Sequence, residues 1–182
     1  MDHFWQSVSG WFDGSDADFY KSMIDQSPSP AHFVEVGSWK GRSSAYMVVE
    51  SINSGKQIQI DCVDTWLGSD GLFEDEDVIN NRLFEVFTEN MKPVEGLYKA
   101  VRLSSLEAAK LYEDNSLDLV FIDASHDYDS VKADITAWYP KVKNGGIISG
   151  HDYAHVPVKT AVCELLQNIE NRNNCWFTTK TI

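Results

Sequence analysis

Short apolar runs alternate along this chain with segments whose apolar positions recur at three- and four-residue steps. The runs predict buried strands and the stepped segments predict amphipathic helices. In order, "HFVEVG" reads as a strand, "SSAYMVVESI" as a helix and "QIQIDCVD" as a strand, followed by a long connection. Then come "LYKAVRLS" as a strand, "LEAAKLYE" as a helix, "LDLVFID" as a strand and "SVKADITAWY" as a helix. "GGIISGHD" follows as a strand, "VKTAVCELLQNIE" as a helix and "CWFTTKTI" as a last strand. This alternation implies an α/β fold with an open, mostly parallel sheet layered by helices. Upstream, "FWQSVSGWF" and "ADFYKSMI" carry helical spacing, so residues 1–30 read as a helical extension ending in the breaker "QSPSPAH".

A length of 182 residues fits one domain, 1–182, with no linker. The formal charge of −13 repels phosphate backbones and anionic membranes, and "KVKNGG", with Lys141 and Lys143, reads as an exposed turn. Nucleic acid and membrane are therefore not expected partners. Cys62, Cys163 and Cys175 have neither metal-ligand spacing nor an even count, which fits a reducing compartment. With no signal-like start and no long apolar run, the expected location is cytoplasmic. The connection at 65–96 carries an acidic cluster, Glu74 to Asp77, expected to be a solvated face. Its length makes the segment a candidate substrate lid.

Ligands of such sheets sit beyond the carboxyl ends of the strands, where "EVGSWKGRSS" passes from strand to helix. Gly37 and Gly41 allow a sharp turn and close approach of the backbone, and Ser43 or Ser44 can cap the helix. A dinucleotide fingerprint would read G-x-G-x-x-G; this loop reads G-x-x-x-G and is preceded by an acid, Glu35. An acid there suits a sulfonium or ammonium better than a phosphate. Asp64, ending the next strand, suits the hydroxyls of a ribose. A cationic, ribose-bearing cofactor points to S-adenosylmethionine.

Asp123 and Asp152 each end an apolar run. Adjacent parallel strands lie roughly 4.8 Å apart, so two such carboxylates can share a divalent cation. A cation there would bind an acceptor hydroxyl and lower its pKa. His126, three residues past Asp123, is the candidate base, because an unperturbed imidazole titrates near neutrality. His151 is either a third metal ligand, favouring manganese, iron or zinc over magnesium, or a packing residue on a neighbouring helix. Asp127 and Asp129 suit a helix start, and His155 receives no chemistry. Trp39 and Trp66 are the tryptophans expected near the cleft.

The segments "VEVGSWKGRSS", "CVDTW", "LVFIDASHDYDSVKADI" and "GGIISGHDY…VKTAV" resemble the class I S-adenosylmethionine-dependent methyltransferases, with their Rossmann-like fold. The resemblance spans about Phe33 to Leu166, and "DASH" is similar to the metal-dependent sugar O-methyltransferases of macrolide biosynthesis. It implies that Glu35, Gly37 and Gly41, with Ser38 and Ser43 in the same loop, surround the methionine part of the cofactor. By the same resemblance Asp64 binds the ribose, Ser105 lies by the adenine, and Asp123 borders the cofactor. Asp123 and Asp152 carry over as ligands of a magnesium or manganese ion and His126 as the base, while His151 stands where that family has an acid. The family's sheet ends in an antiparallel hairpin, for which only "CWFTTKTI" remains here, so a truncated edge or completion by a second subunit is expected.

The implied activity is methyl transfer to a hydroxyl on a sugar or other small metabolite. A nicotinamide-dependent oxidoreductase and a non-catalytic module that binds S-adenosylmethionine or nucleotides are the competing readings. The first lacks its glycine pattern. The second would be marked by loss of the strand-end acids, which are present.

Overall fold

The computed structural model describes residues 1–68 and 74–181. Five strands, β1 (Ala31–Val36), β2 (Ile58–Asp64), β3 (Lys99–Arg102), β4 (Leu117–Ile122) and β5 (Val142–Gly150), pair in parallel. Two more, β6 (Glu170–Arg172) and β7 (Cys175–Thr179), form an antiparallel hairpin, with β7 against β5. The strand order is β3, β2, β1, β4, β5, β7, β6. The order of strand addition reverses between β1 and β4, so the crevice beyond their carboxyl ends is the switch point at which such sheets bind ligands.

Helices cover both faces. α1 (Gly14–Gln26), α2 (Arg42–Ser54) and α4 (Leu83–Asn90) pack on one side, where Phe19, Met23, Met47 and Phe87 meet Phe33, Ile60 and Phe121. On the other, α5 (Ser105–Ala109), α6 (Tyr128–Trp138) and α7 (Val156–Leu165) bring Ala108, Val131, Trp138 and Val162 onto Val34, Val63 and Val120. Strand residues alternate between the two cores, as the pleat requires.

Three expectations need correction. The sheet is not truncated: "ENR", whose Glu170 was expected to end a helix, is β6. α7 stops at Leu165, Asn168 takes a left-handed φ of 52°, and a two-residue turn with Asn173 at φ 59° reverses the chain into β7. Asparagine tolerates that region, which makes the hairpin possible in so few residues. The edge is thus completed within the chain, removing that argument for a second subunit. At the amino end only a 3₁₀ turn, Trp5–Ser7, forms where a first helix was expected. Ser7, Ser9 and Gly10 are weak helix formers, and Gly10 adopts φ 151°.

The third concerns the acidic cluster. A short helix, α3 (Glu76–Ile79), begins at the cap Asp75. Asp75 and Asp77 are not merely solvated: the Lys40 ammonium, buried, donates to Asp75 at 2.9 Å and to Asp77 at 2.6 Å. Residues 69–73 of the candidate lid lie outside the described residues. No helix among the described residues is long and apolar enough to cross a membrane.

Candidate active site

A cavity of about 1190 Å³ opens at the carboxyl ends of β1, β2, β4 and β5. Of the residues named from sequence, Gly37, Ser38, Ser43, Asp64, Ser105, Asp123, His126, His151 and Asp152 line it. Glu35 and Gly41 do not.

Gly37 follows β1 with φ 96°, and a Cβ built there would fall 1.9 Å from the Asp123 carbonyl oxygen. Only glycine fits this crossing of the loop over β4. Its N–H donates to Val63 O at 2.8 Å, tying the turn to β2. Gly41, φ 90°, precedes α2 with no room behind it, since a Cβ would press on Phe87 and Met91 at 3.1 Å. It positions the helix rather than touching a ligand.

Glu35 differs from expectation for a reason visible in the pleat. It alternates to the same side as Phe33, away from the crevice, and is fully buried. Tyr20 Oη donates to one carboxylate oxygen at 3.0 Å and Ser44 Oγ to the other. Burial raises its pKa against the lowering by these hydroxyls. Glu35 therefore fastens α1 and α2 beneath the loop, without direct contact to the cavity. Ser38 lines the cavity, while its buried Oγ has no hydrogen-bond partner among the described residues.

Asp64 ends β2 and accepts the backbone N–H of Trp39 at 2.9 Å and of Trp66 at 2.7 Å, one on each oxygen. Burial raises its pKa, opposed by these amides. Each oxygen keeps a lone pair for a ligand hydroxyl, which suits a ribose diol. Ser105 Oγ donates to Asp134 and accepts from Trp138 Nε1 at 2.9 Å, so its hydroxyl is already engaged with α6.

On the other half of the cavity, Asp123 follows β4 and Asp152 follows β5, and Ile122 pairs with Gly150. His126 Nε2 bridges them, 3.0 Å from Asp152 Oδ2 and 3.6 Å from Asp123 Oδ1. Asp123 first and Asp152 second raise its pKa to about 10. The expectation of an imidazole titrating near neutrality is therefore corrected: with two carboxylates facing it, the ring holds its proton. Asp152 is pushed well below the usual carboxylate range by His126 and His151. His151 lies between Asp152, 3.3 Å from Nδ1, and Asp16 of α1, 3.2 Å from Nε2. Burial opposes its charge, but Asp152 and Asp16 raise its pKa to about 10.

Asp123, His151 and Asp152 each offer a ligand atom, all within 4.8 Å of one another. Two oxygens and an imidazole nitrogen would suit manganese, iron or zinc better than magnesium, on condition that His151 gives up its proton to the ion.

Sequence reasoning missed three contributors. His155 lines the cavity with its ring 6.4 Å from that of His126. Its signal was a repeated spacing, D-x-x-H at both Asp123–His126 and Asp152–His155. Asp16 reaches the site through a contact 135 residues apart in sequence, which no local pattern announces. Trp11 lines the mouth beside Trp39. Trp66, expected in the cleft, is instead buried in the core with its indole donating to Trp39 O.

With this geometry in view, comparison with known proteins is informative. Residues 34–153 match the family described as "Methyltransferase domain". A relative from Sinorhizobium fredii (strain NBRC 101917 / NGR234), the uncharacterized protein y4gI, is 32% identical over 127 residues. That match covers 68% of this chain and 13% of the relative, so the chain spans a small part of that protein's length. Among solved structures, the O-methyltransferase NovP superposes with a TM-score of 0.66 at 16% identity, covering 92% of this chain and 80% of NovP. CalS11, a TDP-rhamnose 3′-O-methyltransferase of calicheamicin biosynthesis, gives 0.59 at 15%, covering 90% and 76%. A SAM-dependent O-methyltransferase from Thermotoga maritima gives 0.67 at 12%, covering 97% and 68%. At such identities these structures are similar in fold alone. The chain belongs to the methyltransferase-domain family.

Proposed function

We propose that this member of the methyltransferase family methylates a hydroxyl of a small metabolite, with a sugar as the first acceptor class to test. The observation that carries the reading is the convergence of Gly37, Asp64, Asp123, His126 and Asp152 on one cavity. The loop from Gly37 to Ser43 and Asp64 would hold the methionine and ribose parts of the cofactor, with Leu103 to Leu106 bordering the adenine. Bound S-adenosylmethionine supplies an electrophilic methyl group, whose carbon–sulfur bond breaks as the acceptor oxygen bonds to the carbon, leaving a thioether. Asp123 and Asp152 hold the acceptor end of the cavity negative, and His126 stands between them as the group that takes the hydroxyl proton once its own has left, a loss that a cation neutralising the two carboxylates would favour. A divalent cation at Asp123, Asp152 and His151 would balance that charge and acidify the hydroxyl. Positioning of the two reactants supplies much of the rate. CalS11 is a sugar methyltransferase by description, and the acidic chain disfavours a nucleic-acid acceptor.

The test is transfer of isotope-labelled methyl from S-adenosylmethionine to a panel of hydroxylated sugars and phenols, with and without manganese, read by mass spectrometry. His126→Ala is expected to bind S-adenosylhomocysteine normally and to lose transfer. Normal turnover in that variant would remove His126 as the base.

A further inference from the structure

Trp11 has no role in the core. It is 70% exposed, whereas Trp5, Trp66, Trp138 and Trp176 are buried. Left exposed, its apolar surface contributes little to folding. The chain nevertheless holds it in place. Arg42 donates from Nη1 to Val8 O at 2.6 Å and from Nε to Phe12 O at 2.8 Å, clasping the carbonyls on both sides of Trp11. Phe12 is buried edge-on to Trp5 and Tyr20. Further along, Asp16 reaches His151, so the segment from Val8 to Asp16 runs as a fixed rim from the start of α2 to the acidic half of the cavity.

The Trp11 ring leans on Trp39, with centroids 6.0 Å apart and planes tilted by 42°. The Trp39 backbone is itself held on both sides, its N–H donating to Asp64 and its carbonyl accepting from Trp66 Nε1 at 2.8 Å. Both rings line the cavity that Asp123, His126 and His155 also line. One cavity thus carries an aromatic surface and a polar, charged one.

We infer that Trp11, backed by Trp39, is the platform on which the acceptor lies. The ligand chemistry it fits is a six-membered ring with one apolar face and hydroxyl groups at its edge. The face stacks on the indole while an edge hydroxyl reaches the Asp123–His126 side. Aromatic stacking of this kind adds specificity beyond area alone. A pyranose and a dihydroxylated aromatic ring share that chemistry, and the experiment separates them. The inference rests on the methyl-transfer reading above and deepens it by assigning the acceptor face.

The test uses the full chain saturated with S-adenosylhomocysteine, titrated calorimetrically with methyl α-L-rhamnopyranoside and, separately, with 3,4-dihydroxybenzoate. Wild type is expected to bind at least one ring. Trp11→Ala should weaken that binding tenfold or more, Trp11→Phe should restore it to within threefold, and Leu111→Ala, exposed outside the cavity, should leave it unchanged. S-adenosylhomocysteine should bind wild type and Trp11→Ala within twofold of each other. The inference is overturned by ring binding indifferent to Trp11→Ala, by binding of neither ring to wild type, or by a Trp11→Ala effect on S-adenosylhomocysteine alone. A wild-type dimer that Trp11→Ala dissolves would also overturn it, assigning the ring to a subunit interface. Failure of wild type to bind S-adenosylhomocysteine at all is the separate signature that the methyl-transfer reading has failed, and the inference falls with it.

Discussion

The two halves of the cavity are built by different means. Around Gly37 and Asp64, the polar side chains are held by backbone amides of the same loops: Asp64 accepts from Trp39 and Trp66, and the Gly37 N–H donates to Val63. Around Asp123 and Asp152, side chains hold one another, in a line from Asp123 through His126, Asp152 and His151 to Asp16. The first half is set by local chain geometry and is rigid before any ligand arrives. The second is a balance of charges brought together from α1, β4 and β5, which a change in one member alters. Binding should therefore be controlled from the first half and chemistry from the second.

The largest expected effect separates the halves through the chemistry. His126→Ala should lower turnover by about 10²–10⁴-fold, the usual contribution of a positioned acid–base group, and leave S-adenosylhomocysteine affinity within twofold. Single-turnover transfer and calorimetry on the same preparation measure both. Next is Gly37→Ala, whose new methyl would meet the Asp123 carbonyl at 1.9 Å. Strain of about 3 kcal/mol is expected, lowering the unfolding midpoint by on the order of 10 °C and reducing cofactor affinity through the displaced loop. Thermal unfolding with and without S-adenosylhomocysteine reads both effects.

The convergence of Gly37, Ser38, Ser43 and Asp64 on one crevice was legible in the sequence because a turn glycine and a strand-end acid are local signals. Strand and helix alternation was legible for the same reason, and pairing β4 with β5 followed from the fold class. What escaped was set by distance or by facing. Glu35 lies one residue from the crevice edge in sequence, yet the pleat turns it into the core beside Tyr20 and Ser44. Asp16 and Trp11 reach the site only because the irregular stretch after Ser7 folds back across α2, held by Arg42. Lys40 claims Asp75 and Asp77 from what reads as a solvated acidic run. The outer hairpin was hidden because "ENR" continues a helical pattern, and only Asn168 and Asn173 in left-handed geometry break it.

A smaller effect should come from Asp64→Asn. The amide would turn an N–H₂ toward a backbone N–H and remove the charge offered to ligand hydroxyls. Loss of about 2 kcal/mol of cofactor affinity is expected, the scale of a charge-assisted hydrogen bond, with turnover at saturating cofactor nearly unchanged. A comparable fall in turnover would show that the halves are not separable.

The smallest effect is a pH dependence at the border of the cofactor half. Burial raises the Asp134 pKa from 3.8 to about 6, opposed by the Ser105 hydroxyl. Between those values the unfolded chain has released this proton while the folded protein keeps it, so stability contributed by Asp134 falls as pH rises through the window. The fall should be about 1–2 kcal/mol and should disappear in Asp134→Asn. Denaturant unfolding at a series of pH values checks it.

The central claim is that the loop from Gly37 to Ser43, with Asp64, forms a site for S-adenosylmethionine independent of the acid–histidine half. Calorimetric titration of wild type, Asp64→Asn and His126→Ala with S-adenosylhomocysteine and with NADH tests it most directly. Micromolar binding of S-adenosylhomocysteine to wild type and His126→Ala, clear weakening in Asp64→Asn and no binding of NADH are expected. Binding of NADH in preference to S-adenosylhomocysteine, or equal affinity for S-adenosylhomocysteine in all three proteins, would contradict the account.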